Sequence, residues 1–111
     1  MLATRLLRYI TIRNEIEVAE LNRRANQCIH LGQYSEAKKS FIQALEKTKE
    51  DYGSYHPAYL ASKCNLALIN KYLGDYNQSI ELYKEAYQGY VKSLGEEHKS
   101  TLIVLQNLGN A

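Results

Sequence analysis

The sequence predicts an all-α fold: a right-handed α-solenoid of antiparallel helix hairpins, about two and a half repeat units long. Three observations carry that expectation. Glycines fall at Gly32, Gly53, Gly74 and Gly95, at intervals of 21 residues, and glycine is the residue that most readily ends a helix in the left-handed conformation. Doubling the period to 42 brings side chains into register. Leu31-Gly32-Gln33-Tyr34 returns as Leu73-Gly74-Asp75-Tyr76, Phe41 as Tyr83, Ala44 as Ala86, His56 as His98, and Asn65-Leu66-Ala67 as Asn107-Leu108-Gly109. Finally, Pro57 is the single proline, and no segment sustains the period-two alternation of a strand.

The expected helices are 14–31, 35–52, 57–73, 77–94 and 99–111. In the second, Ala37, Phe41, Ala44 and Leu45 follow an amphipathic stripe at i, i+4, i+7 and i+8; the fourth repeats it with Ile80, Tyr83, Ala86 and Tyr87. Short turns at Gly32-Gln33-Tyr34 and Gly74-Asp75-Tyr76 fold neighbouring helices into hairpins. Longer links, Gly53 to Pro57 and Gly95 to Lys99, join one hairpin to the next, with Pro57 in a first helical turn, where its missing N–H costs nothing. The units are then 18–59, 60–101 and a partial 102–111, preceded by residues 1–17 as a basic extension or the start of the first helix.

The two ends differ. Ser62, Leu66, Ile69 and Leu73 of the third helix, and Val104 and Leu108 of the fifth, should face the preceding hairpin. Their equivalents in the first helix are Glu20, Arg24, Gln27 and Leu31, and burying that acid and base unpaired is expensive, so this helix is expected to begin the stack. At the other end Leu105 and Gly109 form a seat for a further helix, and Leu102-Ile103-Val104-Leu105 is apolar around most of the helix. Either the chain is a segment of a longer array, or this face pairs with another copy or a partner. Leu102, Leu105 and Gly109 are the candidate association face.

An apolar share of 45% with 23% charged residues is that of a folded domain rather than a disordered tail. No apolar run reaches the roughly 20 residues of a membrane span. The net charge of +2 divides unevenly: residues 1–13 hold Arg5, Arg8 and Arg13 and no acid, so the body is close to neutral. That balance lacks the basic face a nucleic-acid partner needs. Leu2, Leu6, Leu7 and Ile10 line one face of residues 1–13. Three readings stand: an extension of the first helix covering a hydrophobic surface, a mitochondrial transit peptide, or a helix lying on a membrane surface.

The positions Leu21, Ala25, Gly32, Tyr34, Ala37, Phe41 and Ala44, and again Leu66, Ala67, Gly74, Tyr76, Tyr83 and Ala86, resemble the tetratricopeptide repeat, whose small residues let paired helices approach. The 42-residue period and the connector Tyr52-Gly53-Ser54-Tyr55-His56-Pro57, echoed by Leu94-Gly95-Glu96-Glu97-His98, look like the kinesin light chain variety. Asn70 and Cys28 stand where a larger aromatic is common, Ser79 where alanine is usual, and Lys99 where a second proline is expected. The resemblance covers about residues 18–111 and implies a non-enzymatic protein-interaction scaffold.

In such a scaffold the first helix of each hairpin turns one face to the concave side. Those faces hold Ala19, Arg23, Asn26 and His30; Ala61, Asn65, Leu68 and Tyr72; and Ile103, Asn107 and Asn110. An amide both donates and accepts, so asparagines suit the backbone of an extended peptide, a use that the resemblance implies for Asn65 and Asn107. Asn26 joins them, Leu68, Tyr72 and Ile103 offer apolar contact, and Arg23 an attraction for an acidic residue; the alternative is that the asparagines only bond between neighbouring helices. Related repeats clamp a chaperone's C-terminal carboxylate, but Ile103 and Asn107 stand where that clamp wants cations.

Chemistry is not expected. Cys28 and Cys64 lack CxxC spacing and suit a reducing compartment, the cytoplasm or alternatively the mitochondrion. His30 is poorly placed round the helix to activate Cys28, and the recurrence of His56 and His98 beside helix starts argues for a connector role. Lys99-Ser100-Thr101 lacks the second glycine and the strand of a phosphate loop. No cofactor or zinc-ligand pattern is present.

Overall fold

The computed structural model describes residues 2–110; Met1 and Ala111, the outer ends of the expected first and last segments, lie outside them. Five helices follow one another: α1 (Leu2–His30), α2 (Tyr34–Tyr52), α3 (Pro57–Tyr72), α4 (Tyr76–Leu94) and α5 (Lys99–Gly109). Each packs on the next in chain order, within extents of 48 × 35 × 18 Å. This is the all-α helical-repeat solenoid that the 42-residue register predicts.

The hairpin turns are built as the glycines anticipate. At Gly32 (φ 74°) the Gln33 N–H donates to the Cys28 carbonyl at 2.8 Å and the Gly32 N–H to Ile29 at 3.0 Å. Forty-two residues on, Asp75 N–H donates to Asn70 at 2.8 Å and Gly74 N–H to Lys71 at 3.1 Å. Both are the paired closure of a Schellman end, which satisfies two carbonyls that the helix leaves open. The next helix starts from a side chain in three cases. The Asp75 carboxylate accepts from the Gln78 N–H, and Nδ1 of His56 and of His98 accepts from the N–H of Ala58 and Ser100, each at 3.0 Å. The recurrent histidines are N-caps.

Small residues set how close the helices come. Ala25 and Ala37 in the first hairpin, and Ala67 and Ser79 in the second, have no exposed surface. The serine that departs from the expected alanine donates through Oγ to the Ala67 carbonyl at 2.7 Å, so its hydroxyl is satisfied inside the contact. Phe41, Leu60, Ile69 and Tyr83 fill the spaces between turns. The two hairpins meet through α2 and α3, where Thr48 Oγ1 lies 3.3 Å from Ser62 Oγ and Leu66 and Ile69 are buried.

Two features lie outside the 42-residue pattern. The first helix begins at Leu2 rather than near residue 14, because nothing between Leu2 and His30 is glycine or proline. Its contact with α2 is pinned by Asn14 Nδ2 donating to Asp51 at 2.9 Å and by the Tyr52 hydroxyl donating to the Glu15 carboxylate. The residues before these continue the first helix, as the extension reading has it, with Leu2 87% and Leu7 65% exposed. The anticipated polar end of α1 is open, with Arg24 and Gln27 exposed and Glu20 paired to Arg23 and Arg24.

The second feature is Gly89, buried in mid-α4. A Cβ added there would sit 2.5 Å from Leu60 Cδ2, so the missing side chain lets the Leu60 side chain fill the space between α3 and α4. Gly89→Val is expected to destabilise the fold by about 1–3 kcal/mol through overpacking. Leu60→Ala, about 2–5 kcal/mol alone, should cost clearly less in the Gly89→Val background. Strictly additive losses in urea titrations would show that the two residues do not compete for one space.

Candidate functional site: a cleft between α3 and α5

The His98 cap fixes the phase of α5, and Thr101, fully buried, ties it down by donating through Oγ1 to the Gly95 carbonyl at 2.8 Å. With that phase, Ser100, Ile103 and Asn107 line up at i, i+3 and i+7 on one side of α5. Across from them α3 presents Ala61, Cys64 and Asn65, and Tyr90 of α4 and Val104 close the floor. The result is an open cleft of about 230 Å³ with one asparagine from each wall. Asn65 and Asn107 are half-buried and Ile103 is 46% exposed at the rim. Lys71 Nζ donates to the Asn110 carbonyl at 3.1 Å, which ties the end of α3 to that of α5.

Of the eleven residues that the sequence puts on the concave faces, Ala61, Asn65, Ile103 and Asn107 therefore come together. Leu68, half-buried, and Tyr72, exposed, lie further along α3 outside the cleft lining, and Tyr72 stacks on Tyr34 with ring centroids 5.4 Å apart. Arg23, Asn26 and His30 are exposed on α1 and do not reach it. The Arg23 guanidinium is already held, its Nε donating to the Glu20 carboxylate at 3.0 Å. That bond is the main cause of the lowered Glu20 and raised Arg23 proton affinities. Arg23 is thus not the free cation that the sequence suggests.

Sequence reasoning missed Cys64, Ser100, Val104 and Tyr90 as parts of this cleft. Tyr90 was within reach, because it continues the Tyr83, Ala86 stripe by another turn. Among the described residues no group of His, Cys, Asp and Glu is arranged to hold a metal. Burial pushes the Cys64 thiol up to about 12 from its ordinary 9.0, so at neutral pH it carries its proton and is a poor nucleophile. Burial likewise raises Tyr90 and Tyr83 to about 12 from 10.0. The cleft is consequently neutral, apolar at its floor and amide-bearing on its walls.

These raised values link stability to pH. A group that holds its proton more tightly when folded contributes stability fully present below its unfolded value and lost as pH rises through the folded one. The thermal midpoint is therefore expected to fall from about pH 9, where the unfolded thiol ionises, through pH 12, by which the folded groups ionise too. Tyr90→Phe should flatten the decline between pH 10 and pH 12. Melts that are unchanged from pH 8 to pH 11 would contradict the burial of these groups.

No curated protein matches the chain. A family model for the tetratricopeptide repeat matches residues 16–90 and again residues 62–111. The two matches span both hairpins and α5 and leave the first 15 residues outside. Repeats of this kind generally mediate protein–protein interaction. The chain belongs to the tetratricopeptide repeat family.

Proposed function

We propose that this protein is a non-enzymatic interaction module that holds an extended peptide in the cleft between α3 and α5. The observation that carries the reading is the pair of half-buried amides, Asn65 and Asn107, on opposite walls above an apolar floor. Each amide can donate to a peptide carbonyl and accept from a peptide N–H, giving grip without regard to sequence. Among the described residues neither amide makes a side-chain hydrogen bond that a ligand would have to break; bonds between α3 and its neighbours run instead through residues such as Ser79, Lys71 and Lys63. Ile103 adds apolar contact, and Leu68 and Tyr72 extend the surface along α3. The 42-residue period and the capped His connectors support the kinesin light chain variety of the repeat. Two free thiols suit the cytoplasm, with the mitochondrion as the alternative.

An array of immobilised random nonapeptides tests the groove. The wild-type chain should retain a subset of them, and Asn65→Ala with Asn107→Ala should weaken that retention about tenfold or more, several backbone bonds of roughly 1 kcal/mol each being lost. Circular dichroism should show the double variant folded. Undiminished retention of the same peptides would remove the groove reading.

A second reading, a structural subunit or assembly factor docking through its last helix, has its own observation. Leu102 stands in α5 where Leu60 stands in α3; Leu60 is 1% exposed beneath Gly89, and Leu102 is 50% exposed. Leu105 is also exposed, and nothing lies within 4 Å of a Cβ built on Gly109. If copies associate through this face, light scattering should show a mass above that of one chain, returning to one chain's mass in Leu105→Asp. A monomer at both sequences would exclude self-association there.

A further inference from the structure

The start of α1 is an extended apolar surface that neither the repeat nor the cleft uses. We propose that residues 2–11 are a membrane-surface anchor that lies in the headgroup layer of an anionic bilayer. This does not rest on the peptide-groove reading.

The geometry isolates the segment first. Contact of α1 with α2 is pinned at Asn14 and Glu15 against the last residues of α2, Asp51 and Tyr52. At 1.5 Å per residue, the twelve residues from Leu2 to Arg13 project about 18 Å past that point. They also precede the family match, which begins at residue 16. Leu2, Leu6, Leu7, Tyr9 and Ile10 are all exposed.

The distribution round the helix supplies the chemistry. At about 100° per residue, Tyr9, Leu2, Leu6, Ile10, Ala3 and Leu7 occupy a continuous arc of about 160°. Thr11, Thr4, Arg8 and Arg5 fill the opposite side, where Ile12 is the single departure. Arg13 falls at the azimuth of the apolar arc, but it sits at the segment's end and is turned to Glu17, Nε to Oε1 3.9 Å. Arg5 and Arg8 have no acid within the first thirteen residues. A broad apolar arc flanked by arginines is the pattern of a helix lying in a lipid interface.

Charge and shape choose the occupant. Two copies pairing through this segment would bring four such arginines together with no carboxylate from either side. The exposed face of α5 offers no better complement, since Lys99–Gly109 contains a lysine and no acid. A protein groove typically takes a narrow i, i+3/i+4, i+7 stripe, whereas a lipid plane covers the half-cylinder exposed here. Phosphate headgroups supply the missing negative charge.

The same arithmetic orients the molecule. Continued along α1, the arc divides. Its Leu7 edge runs into Asn14, Leu21 and Ala25, which are taken up against α2. Its middle and its Tyr9 edge, the sides turned to the bilayer, pass through Glu17, Glu20 and Arg24, where Lys47 holds Glu17 at 2.6 Å and Arg24 holds Glu20 at 3.5 Å. These carboxylates meet the headgroups already ion-paired. Ala19, Arg23, Asn26 and His30 lie on another side of α1, turned away from the bilayer. Because the segment is short, binding should be weak, reversible and salt-sensitive.

Flotation of the full chain with vesicles tests this, using phosphatidylcholine alone and phosphatidylcholine with about one-third phosphatidylserine. The chain should float with the anionic vesicles and lose most binding in high salt. Arg5→Glu with Arg8→Glu, and separately Leu2→Ser with Leu6→Ser, should each reduce flotation about tenfold or more while leaving the helical circular dichroism unchanged. The chain has no tryptophan, so Tyr9→Trp gives a single reporter whose emission should shift to the blue on anionic vesicles only. No flotation, equal flotation with neutral vesicles, or insensitivity to both double variants overturns the proposal. So does a dimer in light scattering that Leu2→Ser with Leu6→Ser dissolves, or capture by immobilised polyglutamate without vesicle binding.

Discussion

The structure depends on the close approach of paired helices at small side chains. Ala25 and Ala37 in one hairpin, and Ala67 and Ser79 in the next, have no exposed surface, and the Ser79 hydroxyl ties the second contact with a 2.7 Å hydrogen bond to backbone. With the backbones that near, Phe41 and Tyr83 can bridge between turns and the hairpin becomes a thin slab. A slab of two helices has two apolar flanks and cannot cover either alone. Stacking follows from that deficit: Leu66 and Ile69 of α3 are buried because α2 lies against them.

Close approach also dictates the caps. A hairpin that packs tightly needs its helices to end within a residue or two of a fixed point, and the left-handed residues at Gly32 and Gly74 supply it. The connectors need a different device, because they must carry the chain across to the next slab. There a histidine caps the new helix through Nδ1. In the second connector, Thr101 bonds back to Gly95 as well. The cleft inherits its geometry from this connector: with His98 capping α5, Thr101 bonded to Gly95 and Val104 buried, Ser100, Ile103 and Asn107 face α3.

Much of this was legible in the sequence because periodicity reports directly on backbone. The glycine interval gives the helix ends, the recurrent histidines give the connectors, and the i, i+4, i+7 rule puts Asn65 and Asn107 on one side. What the sequence hid lies in side-chain partners. Arg23 reads as a free cation until Glu20, one turn before it, is seen to hold it. Gly89 interrupts no helix, so its role shows only once Leu60 is found in the space a side chain would need. Cys64 and Tyr90 join the cleft through a three-helix convergence that no single helix's pattern encodes. The start of α1 was legible only as one of three readings, for a plainer reason: a repeat period says nothing of residues outside the repeat, and only the lack of a glycine or proline after Leu2 bears on it.

A helix in such a stack has few sides to spare, and α5 shows how they divide. Thr101, Val104 and Leu108 turn inward, Ser100, Ile103 and Asn107 line the cleft, and Leu102, Leu105 and Gly109 form the outer seat. At about 100° per residue these three sets are centred roughly 100–160° apart, which uses the whole circumference. The inward set is committed to the preceding hairpin, and the outer set is what α3 commits to α4 through Leu60 and Ala67. In α3, packed on both sides, only the remaining third is open to a ligand, whereas the outer set of α5 is exposed. On the groove reading proposed above, a partner would meet residues spaced i, i+3/i+4 and i+7 on successive first helices. That is a narrow ribbon, which fits an extended chain better than a globular surface.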